Sequence, residues 1–435
     1  MISLLTNPII ISVVLLCILC LCRINVLLAL IITSVVGGLV GHLHLSEVMS
    51  IFINGMGGNS ETALSYILLG AFAASMTHTG LAPILSHKIA SVISSKKYLL
   101  IFILTVIAIL SQNLIPVHIA FIPIIIPPLL AVMNKLKLDR RAVACGLAFG
   151  LKAPYIVVPA GFGLIFQGLI ADNLVQNGIA VAKTDIWKST WVLGLAMFIG
   201  FLFSIFVTYS KQREYKEVTL QIKEEDNLSL NKNHYITLCA AVLTLVVQLI
   251  TNSLPLGALL GLSVIFGFKA IDHDKMDKLI NEGVGLMGYV AFVMLVAAGF
   301  ASVMKATGGI DVMVNTIAPY MMSSKVIASA LMLFIGLFIT MGIGTSFGTI
   351  PILAVLYAPI CAKLGFSLPS TIIILAAAAA LGDAGSPASD TTLGPTAGLN
   401  ADGQHNHIWD TCVPTFLHYN IPLILVAILS VVIFN

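Results

Sequence analysis

Apolar residues run in long stretches along this chain, and polar residues fall in the gaps between them. A helix needs about 20 apolar residues to cross a bilayer. Two runs open the sequence, Pro8 to Cys22 and Ile24 to Gly41. No basic residue precedes the first, Arg23 follows it, and no small-x-small cleavage site is apparent. The run therefore reads as a retained first span rather than a cleaved signal peptide. A moderately amphipathic stretch, Ser46 to Met56, comes next, then Thr62 to Thr79. Asn59, Ser60 and Glu61 supply cap residues and an acid near the positive end of the dipole, which predicts a helix start there.

The apolar pattern then changes character. From Tyr98 to Met133 it is interrupted by Ser111 to His118, which include Gln112, Asn113 and Pro116. As one helix this segment would be about 54 Å long, too long for a single crossing, so it turns, either as a re-entrant hairpin or as two short spans. Ala142 to Ala171 is broken by Lys152-Ala153-Pro154 and Pro159-Ala160-Gly161. Trp191 to Tyr209 closes a first half, 1–209. The mixed-charge segment 210–233 reads as a solvated linker to a second half, 234–435.

The second half repeats the first. Pro351, Thr307-Gly308, Lys363-Leu364 and Gly283 stand 228 residues beyond Pro123, Thr79-Gly80, Lys135-Leu136 and Gly55. Phe300-Ala301 and Met304 match Phe72-Ala73 and Met76 at the same offset. Ile408-Trp409 matches Ile186-Trp187 at 222, so a short indel lies between. Each half crosses the membrane an odd number of times whether its turning segment contributes none or two crossings, which makes the halves inverted. Inverted repeats with broken helices are a transporter architecture.

Composition sets the medium. Charged residues make up 9% of 435, against roughly 25% in soluble domains. Apolar residues make up 58%, and mean hydropathy is +1.04. The fold class expected is an all-α polytopic membrane protein with about ten spans, two re-entrant hairpins and two broken helices. A basic nucleic-acid face, a disordered chain and a disulfide-rich secreted domain are all excluded. With the first loop cytoplasmic, 16 basic residues fall on that side and five on the other, with Lys152 left inside the membrane. This positive-inside asymmetry predicts an inner (plasma) membrane protein with a cytoplasmic linker and both termini outside.

Irregular backbone at membrane depth is tolerated where it is buried in protein or lines a wet cavity. Four such places occur: 111–118, 152–163, 342–349 and 382–392. The last sets Asp383 and Asp390 among Ser386, Ser389 and Thr391, where the helix must unwind. Carboxylates, hydroxyls and freed carbonyls are hard ligands suited to a small cation, so Asp383 is the Na+ candidate. The competing reading makes both acids helix caps near an interface. Thr345, Ser346 and Thr349, with Gln112, Asn113 and His118, complete the candidate set from the two hairpin tips. His118 is either a polar tip contact or a proton carrier. Lys152 is either a structural partner for Asp383 or a counter-charge for a substrate carboxylate. No cofactor is called for beyond Na+ or H+ as coupling ions. The expected partners are lipid, a small cation and a small zwitterion, without nucleic acid, and the chain is compatible with a homodimer.

Gly382-Asp383-Ala384-Gly385-Ser386-Pro387-Ala388-Ser389-Asp390-Thr391-Thr392 resembles the Gly-Asp-x-x-Ser-Pro-x-Ser-Asp-Thr-Thr signature of NhaC-type sodium/proton antiporters. Gly344-Thr345-Ser346-Phe347-Gly348-Thr349 is similar to that family's Gly-Thr-Ser-x-Gly-Thr hairpin tip. The resemblance implies the ion transporter superfamily fold, with paired re-entrant hairpins facing two broken helices. It also implies Na+/H+ antiport by alternating access. Related branches include amino-acid permeases, a histidine type among them, so cation-coupled amino-acid transport is the alternative.

Other chemistries fit less well. Gly344 to Gly348 satisfies Gly-x-Ser-x-Gly, but a nucleophile elbow needs a strand before it and an α/β sheet around it. An intramembrane protease is the remote alternative, and no enzyme is expected. Cys17, Cys20 and Cys22 lie in an apolar helix without His or acid nearby and behave as small hydrophobes. The topology is directly testable. In a cysteine-free background, Ser229→Cys should react with a membrane-impermeant maleimide only after the cytoplasmic face is opened; labelling in intact cells would overturn the orientation.

Overall fold

The computed structural model describes residues 6–22, 24–80, 97–113, 118–216, 230–251, 253–309, 312, 324–343, 345–387 and 389–434. Among these residues every regular element is helical. Four helices open the chain: α1 (Pro8–Leu21), α2 (Val26–Val40), α3 (Leu45–Met56) and α4 (Ser60–His78). The turning segment is a helix pair, α5 (Lys97–Asn113) and α6 (His118–Lys135). The broken span is α7 (Arg140–Val157) and α8 (Phe162–Gln176), bent by 47°. The first half ends on α9 (Lys183–Thr208).

The second half follows the same order. It comprises α10 (Lys232–Thr251), α11 (Leu254–Gly267), α12 (Met276–Ala306), α13 (Lys325–Ile343), α14 (Ser346–Lys363), α15 (Leu368–Ala380) and α16 (Asp390–Leu399). The last element, α17 (His407–Phe434), includes two π-turns. Among the described residues α9, α10, α14 and α17 are each long and apolar enough to cross a membrane, and the bent α7–α8 pair adds a broken crossing. Shorter apolar helices, including α13 and α15, stand beside them.

Burial divides these helices into two kinds. α7, α14 and α15 are buried along nearly their whole length, although α14 carries Pro351 and Pro359. α9, α10 and α17 expose Phe198, Ile199, Ile250, Leu429 and Ile433. Such apolar surface suits lipid rather than water. The amphipathic stretch became α3, which buries Val48 and Phe52 one turn apart on a single face. Glu61 sits in the first turn of α4, as its neighbours required.

Where the halves meet, small residues let backbones touch. A Cβ on Gly55 would lie 2.3 Å from Ser302 Oγ and 3.3 Å from Gly299 Cα; one on Gly283 would lie 2.2 Å from the Ala71 nitrogen. Gly283 and Gly299 are the 228-offset mates of Gly55 and Ala71. The contacts are therefore reciprocal, i with j′ and j with i′, as a twofold relation demands.

A second tie holds the end that carries the linker. Arg140, at the start of α7, is fully buried and grips Asp402 with both amino groups, at 2.7 and 2.5 Å. It also donates to the Leu399 carbonyl and to Asn134, and stacks on Tyr215 at 4.2 Å. Arg213 bonds Asp410 at 2.7 Å, so the start of the linker is fastened to the second half. Burial acts to raise Asp402, but the Arg140 hydrogen bond and charge hold it below the usual carboxylate range.

His405 lies in the same end, 1% exposed, with Nε2 2.7 Å from Thr411 Oγ1 and Nδ1 unpartnered. Burial pushes it down to about 4, against the opposing pull of Asp410. A histidine whose folded value is depressed stabilises fully above its unfolded value of about 6.5 and loses that contribution as pH falls. The melting temperature of the purified protein should therefore drop between pH 6.5 and about 4. His405→Gln should flatten part of that drop in a thermal-shift series; an unchanged slope would contradict the assignment.

Candidate functional site

The site forms where α15 stops before the middle of the bundle. Ala380 ends the helix, Leu381 is extended, and Gly382 and Gly385 take φ of +82° and +102°. Gly382 also needs its missing side chain, because a Cβ would lie 2.6 Å from Met341 Cγ and 2.8 Å from the Leu337 carbonyl. The unwound backbone groups find partners in side chains. Asn420 of α17 accepts from the Gly382 N–H at 3.3 Å and donates to the Ala384 carbonyl at 2.9 Å. Thr392 donates to the Ser386 and Ser389 carbonyls at 2.5 and 2.9 Å. α16 restarts with Ser389 as its cap, accepting from the Thr391 N–H at 3.2 Å.

Asp383 stands in this gap, 5% exposed. Its Oδ2 accepts from Ser346 Oγ at 2.7 Å and from Tyr155 Oη at 2.9 Å, and its Oδ1 accepts from Ser389 Oγ. Thr391 Oγ1 donates to the Asp383 carbonyl at 3.1 Å and sits 2.9 Å from Ser389 Oγ. Four elements thus converge on one carboxylate: the α15–α16 gap, the α14 N-terminus, α7 and the α16 cap. A hydrogen bond to a charged group contributes roughly 1.5–3 kcal/mol. Three of them offset a burial penalty of several kcal/mol. Each hydroxyl has one proton to give and keeps two lone pairs, so the same oxygens can turn and ligate a cation.

Lys152 is fully buried on α7 and donates its Nζ to the Ala380 carbonyl, the last of the helix before the gap. It forms no ion pair with Asp383, so the structural salt bridge considered from sequence is corrected: the ammonium caps the broken end of α15 instead. Both bridging contacts, Lys152 to Ala380 and Tyr155 to Asp383, join residues 228 apart. The crossing point of the broken helices is therefore made by repeat mates.

The remaining candidates divide clearly. Ser346, Ser389 and Thr391 join Asp383. Ser386 is buried and donates to the Met341 carbonyl at 3.3 Å. Thr349 donates to the Thr345 carbonyl within its own helix at 2.7 Å, and Thr345 is half-buried at the α14 cap position. Gln112 is buried at the end of α5 with Oε1 unpartnered. The side chains of Asn113, His118 and Asp390 lie outside the described residues. Among the described residues no group of three His, Cys, Asp or Glu side chains could hold a metal, His405 and His407 included.

Tyr155 and Asn420 were not singled out from the sequence. Carrying the 228 offset forward to Asp383 would have pointed to Tyr155. Asn420 had only its polarity in an apolar run to mark it.

A cluster of rings packs beside the site. Phe347 packs against Tyr155, Phe166, Tyr66 and Phe162 with centroids at 5.1, 5.8, 5.9 and 6.0 Å. Tyr155 spans both groups, touching Phe166 at 5.1 Å and Asp383 through its hydroxyl.

Known proteins share this sequence and fold. A family model described as the Na+/H+ antiporter family matches residues 146–428, and a second, described as the Na+-H+ antiporter family, matches 7–93. An uncharacterized membrane protein of Vibrio parahaemolyticus is 46% identical over 96% of this chain and 98% of its own. YuiF of Bacillus subtilis, whose name proposes an amino acid transporter, is 45% identical over 96% of this chain and 98% of its own. The YdaH transporter of Alcanivorax borkumensis has a similar fold, with TM-score 0.62 at 14% identity, covering 89% of this chain and 88% of that one. MtrF of Neisseria gonorrhoeae, described with a class of antimetabolite efflux pumps, gives 0.58 at 16% identity, covering 90% and 85%.

If Asp383 is the centre of this cluster, Asp383→Asn should abolish cation-coupled transport while the protein still inserts and purifies. Tyr155→Phe should keep transport but weaken apparent cation affinity about tenfold, the loss of one charge-assisted interaction. Sodium-dependent transport surviving in Asp383→Asn would refute the assignment.

Proposed function

The chain belongs to the Na+/H+ antiporter family, and on that premise we propose that it is a secondary transporter exchanging Na+ for H+ by alternating access, with Asp383 as the group the two cations occupy in turn. The observation that carries this is a buried carboxylate, Asp383, in unwound backbone and held by three hydroxyls. Exchange requires a site that binds either cation and never both. Asp383, Asp390 and Lys152 together carry a formal charge of −1, which one Na+ or one proton neutralises.

When neither cation is bound, Tyr155, Ser346 and Ser389 donate to the carboxylate. A proton on Asp383 turns one acceptor into a donor, so the hydroxyl it faces must accept instead. A Na+ requires all three hydroxyls to swing their protons away and present lone pairs. The two occupied states thus demand different hydroxyl orientations, and occupancy is mutually exclusive. The reciprocal contacts of Gly55 and Gly283 support reading 1–209 and 234–435 as inverted repeats that rock about this centre. The basic asymmetry supports an inner-membrane protein with the linker in the cytoplasm.

Cation-coupled amino-acid transport is a second reading, favoured by Lys152. A buried ammonium bound to a carbonyl, with no carboxylate in ion-pair contact among the described residues, can receive a substrate carboxylate. YuiF's name points the same way.

Liposomes separate the two. An imposed Na+ gradient should drive proton movement reported by an internal pH dye, and Lys152→Gln should alter Na+ dependence without conferring or removing any amino-acid response. If instead a labelled amino acid accumulates under the gradient, and Lys152→Gln weakens its affinity about ten- to a hundredfold, the exchange reading falls and the permease reading replaces it.

A further inference from the structure

A cavity of about 240 Å³ opens at the end of the bundle opposite the linker. α9 and α10 fix that end, since α9 starts there and finishes at the linker, and α10 runs back from it. Glu61, Asp172 and Lys183 stand exposed around the cavity, and Leu164, Leu169 and Leu254 supply apolar wall.

Two features mark it as built to receive something. Gln167 lines it, 3% exposed; its Nε2 donates to the Ile156 carbonyl at 3.3 Å, and its Oε1 has no partner. A buried amide oxygen left without a donor is destabilising unless a ligand or water supplies one. Beside it, a Cβ on Gly168 would meet no atom within 4 Å, so the helix leaves open space where a side chain could have filled it. The cavity is also near the coupling site. Phe166, next to Gln167 in sequence, packs on Tyr155, whose hydroxyl reaches Asp383.

We propose that this cavity is a binding site for a small zwitterion, an α-amino acid with an apolar side chain. Its ammonium faces Glu61 and Asp172 and takes Gln167 Oε1 as that amide turns toward it, its carboxylate meets Lys183, and its side chain lies on the leucine wall over Gly168. A bare cation would leave Lys183 as repulsion and the apolar wall unused; an anion would meet two carboxylates against one ammonium. The ring cluster around Phe347 separates this ligand from Asp383, so binding here precedes any passage inward. The role of the cavity as a capture point rests on the amino-acid reading of the cargo; the binding itself does not.

The test is calorimetry of the full chain in nanodiscs with L-leucine as probe. Wild type should give a saturable heat. Gly168→Leu should abolish it by filling the space, and Gln167→Leu should weaken it about tenfold. Thermal unfolding of each variant checks folding, and if Gly168→Leu fails that check, Gln167→Leu decides alone. Absence of L-leucine heat in wild type, or heat undiminished in Gln167→Leu, overturns the site. A heat from NaCl alone that Gly168→Leu removes overturns the zwitterion in favour of a cation. If L-leucine binds as expected but liposomes fail to accumulate it, the amino-acid cargo reading falls while the site stands.

Discussion

The constraint on which the rest depends is that backbone broken inside an apolar bundle must have every freed group satisfied. α15 ends at Ala380 and α16 begins at Asp390, so nine residues cross the interior without helical bonds. What fills the gap is specific. Lys152 takes the Ala380 carbonyl, Asn420 takes the Gly382 N–H and the Ala384 carbonyl, and Thr392 takes two more carbonyls. With that scaffold in place Asp383 is held buried against three hydroxyls. The hydroxyls around it are then the movable part of a framework otherwise fixed by amides and an ammonium.

Residues 228 apart in sequence meet in this framework, and its chemistry is one-sided. Repeat mates meet at the crossing of the two broken helices, and each pair joins unlike residues. Tyr155 faces Asp383, and Lys152 faces Ala380. A strictly symmetric pair would place two carboxylates, or two ammoniums, within reach of each other, and like charges in a low-dielectric interior repel strongly. Unlike residues at the two positions put a donor beside each acceptor instead. The scaffold keeps its small-residue symmetry at Gly55 and Gly283, where packing alone matters.

Much of this was legible in the sequence. The breaks were marked by Pro, Gly and hydroxyl residues inside apolar runs, and Asp383, Ser346, Ser389 and Thr391 were placed in one site on those grounds. Their convergence followed from the rule that a buried carboxylate requires donors. Tyr155 escaped because an aromatic residue in an apolar helix reads as packing, and only its hydroxyl distinguishes its role. For Lys152 the sequence left two partners open, Asp383 and a substrate carboxylate; the structure adds the Ala380 carbonyl, because a helix end also attracts a cation. Asn420 was illegible for the same reason as any long-range cap: its target lies in another element, 36 to 38 residues away.

The ring cluster and the Asp383 cluster share residues. Phe347 follows Ser346 directly, so the residue that donates to Asp383 and the centre of the ring cluster are adjacent at the start of α14. Tyr155 belongs to both, with its ring against Phe347 and Phe166 and its hydroxyl on the carboxylate. A hydroxyl can turn about its C–O bond without moving its ring, so an occupant of Asp383 disturbs the packing of Tyr155 on Phe347 and Phe166 only if it shifts the whole side chain. On the exchange proposed above, that shared side chain is where occupancy and the ring cluster can be coupled, because a carrier whose site changes occupant without disturbing its gate would leak rather than exchange.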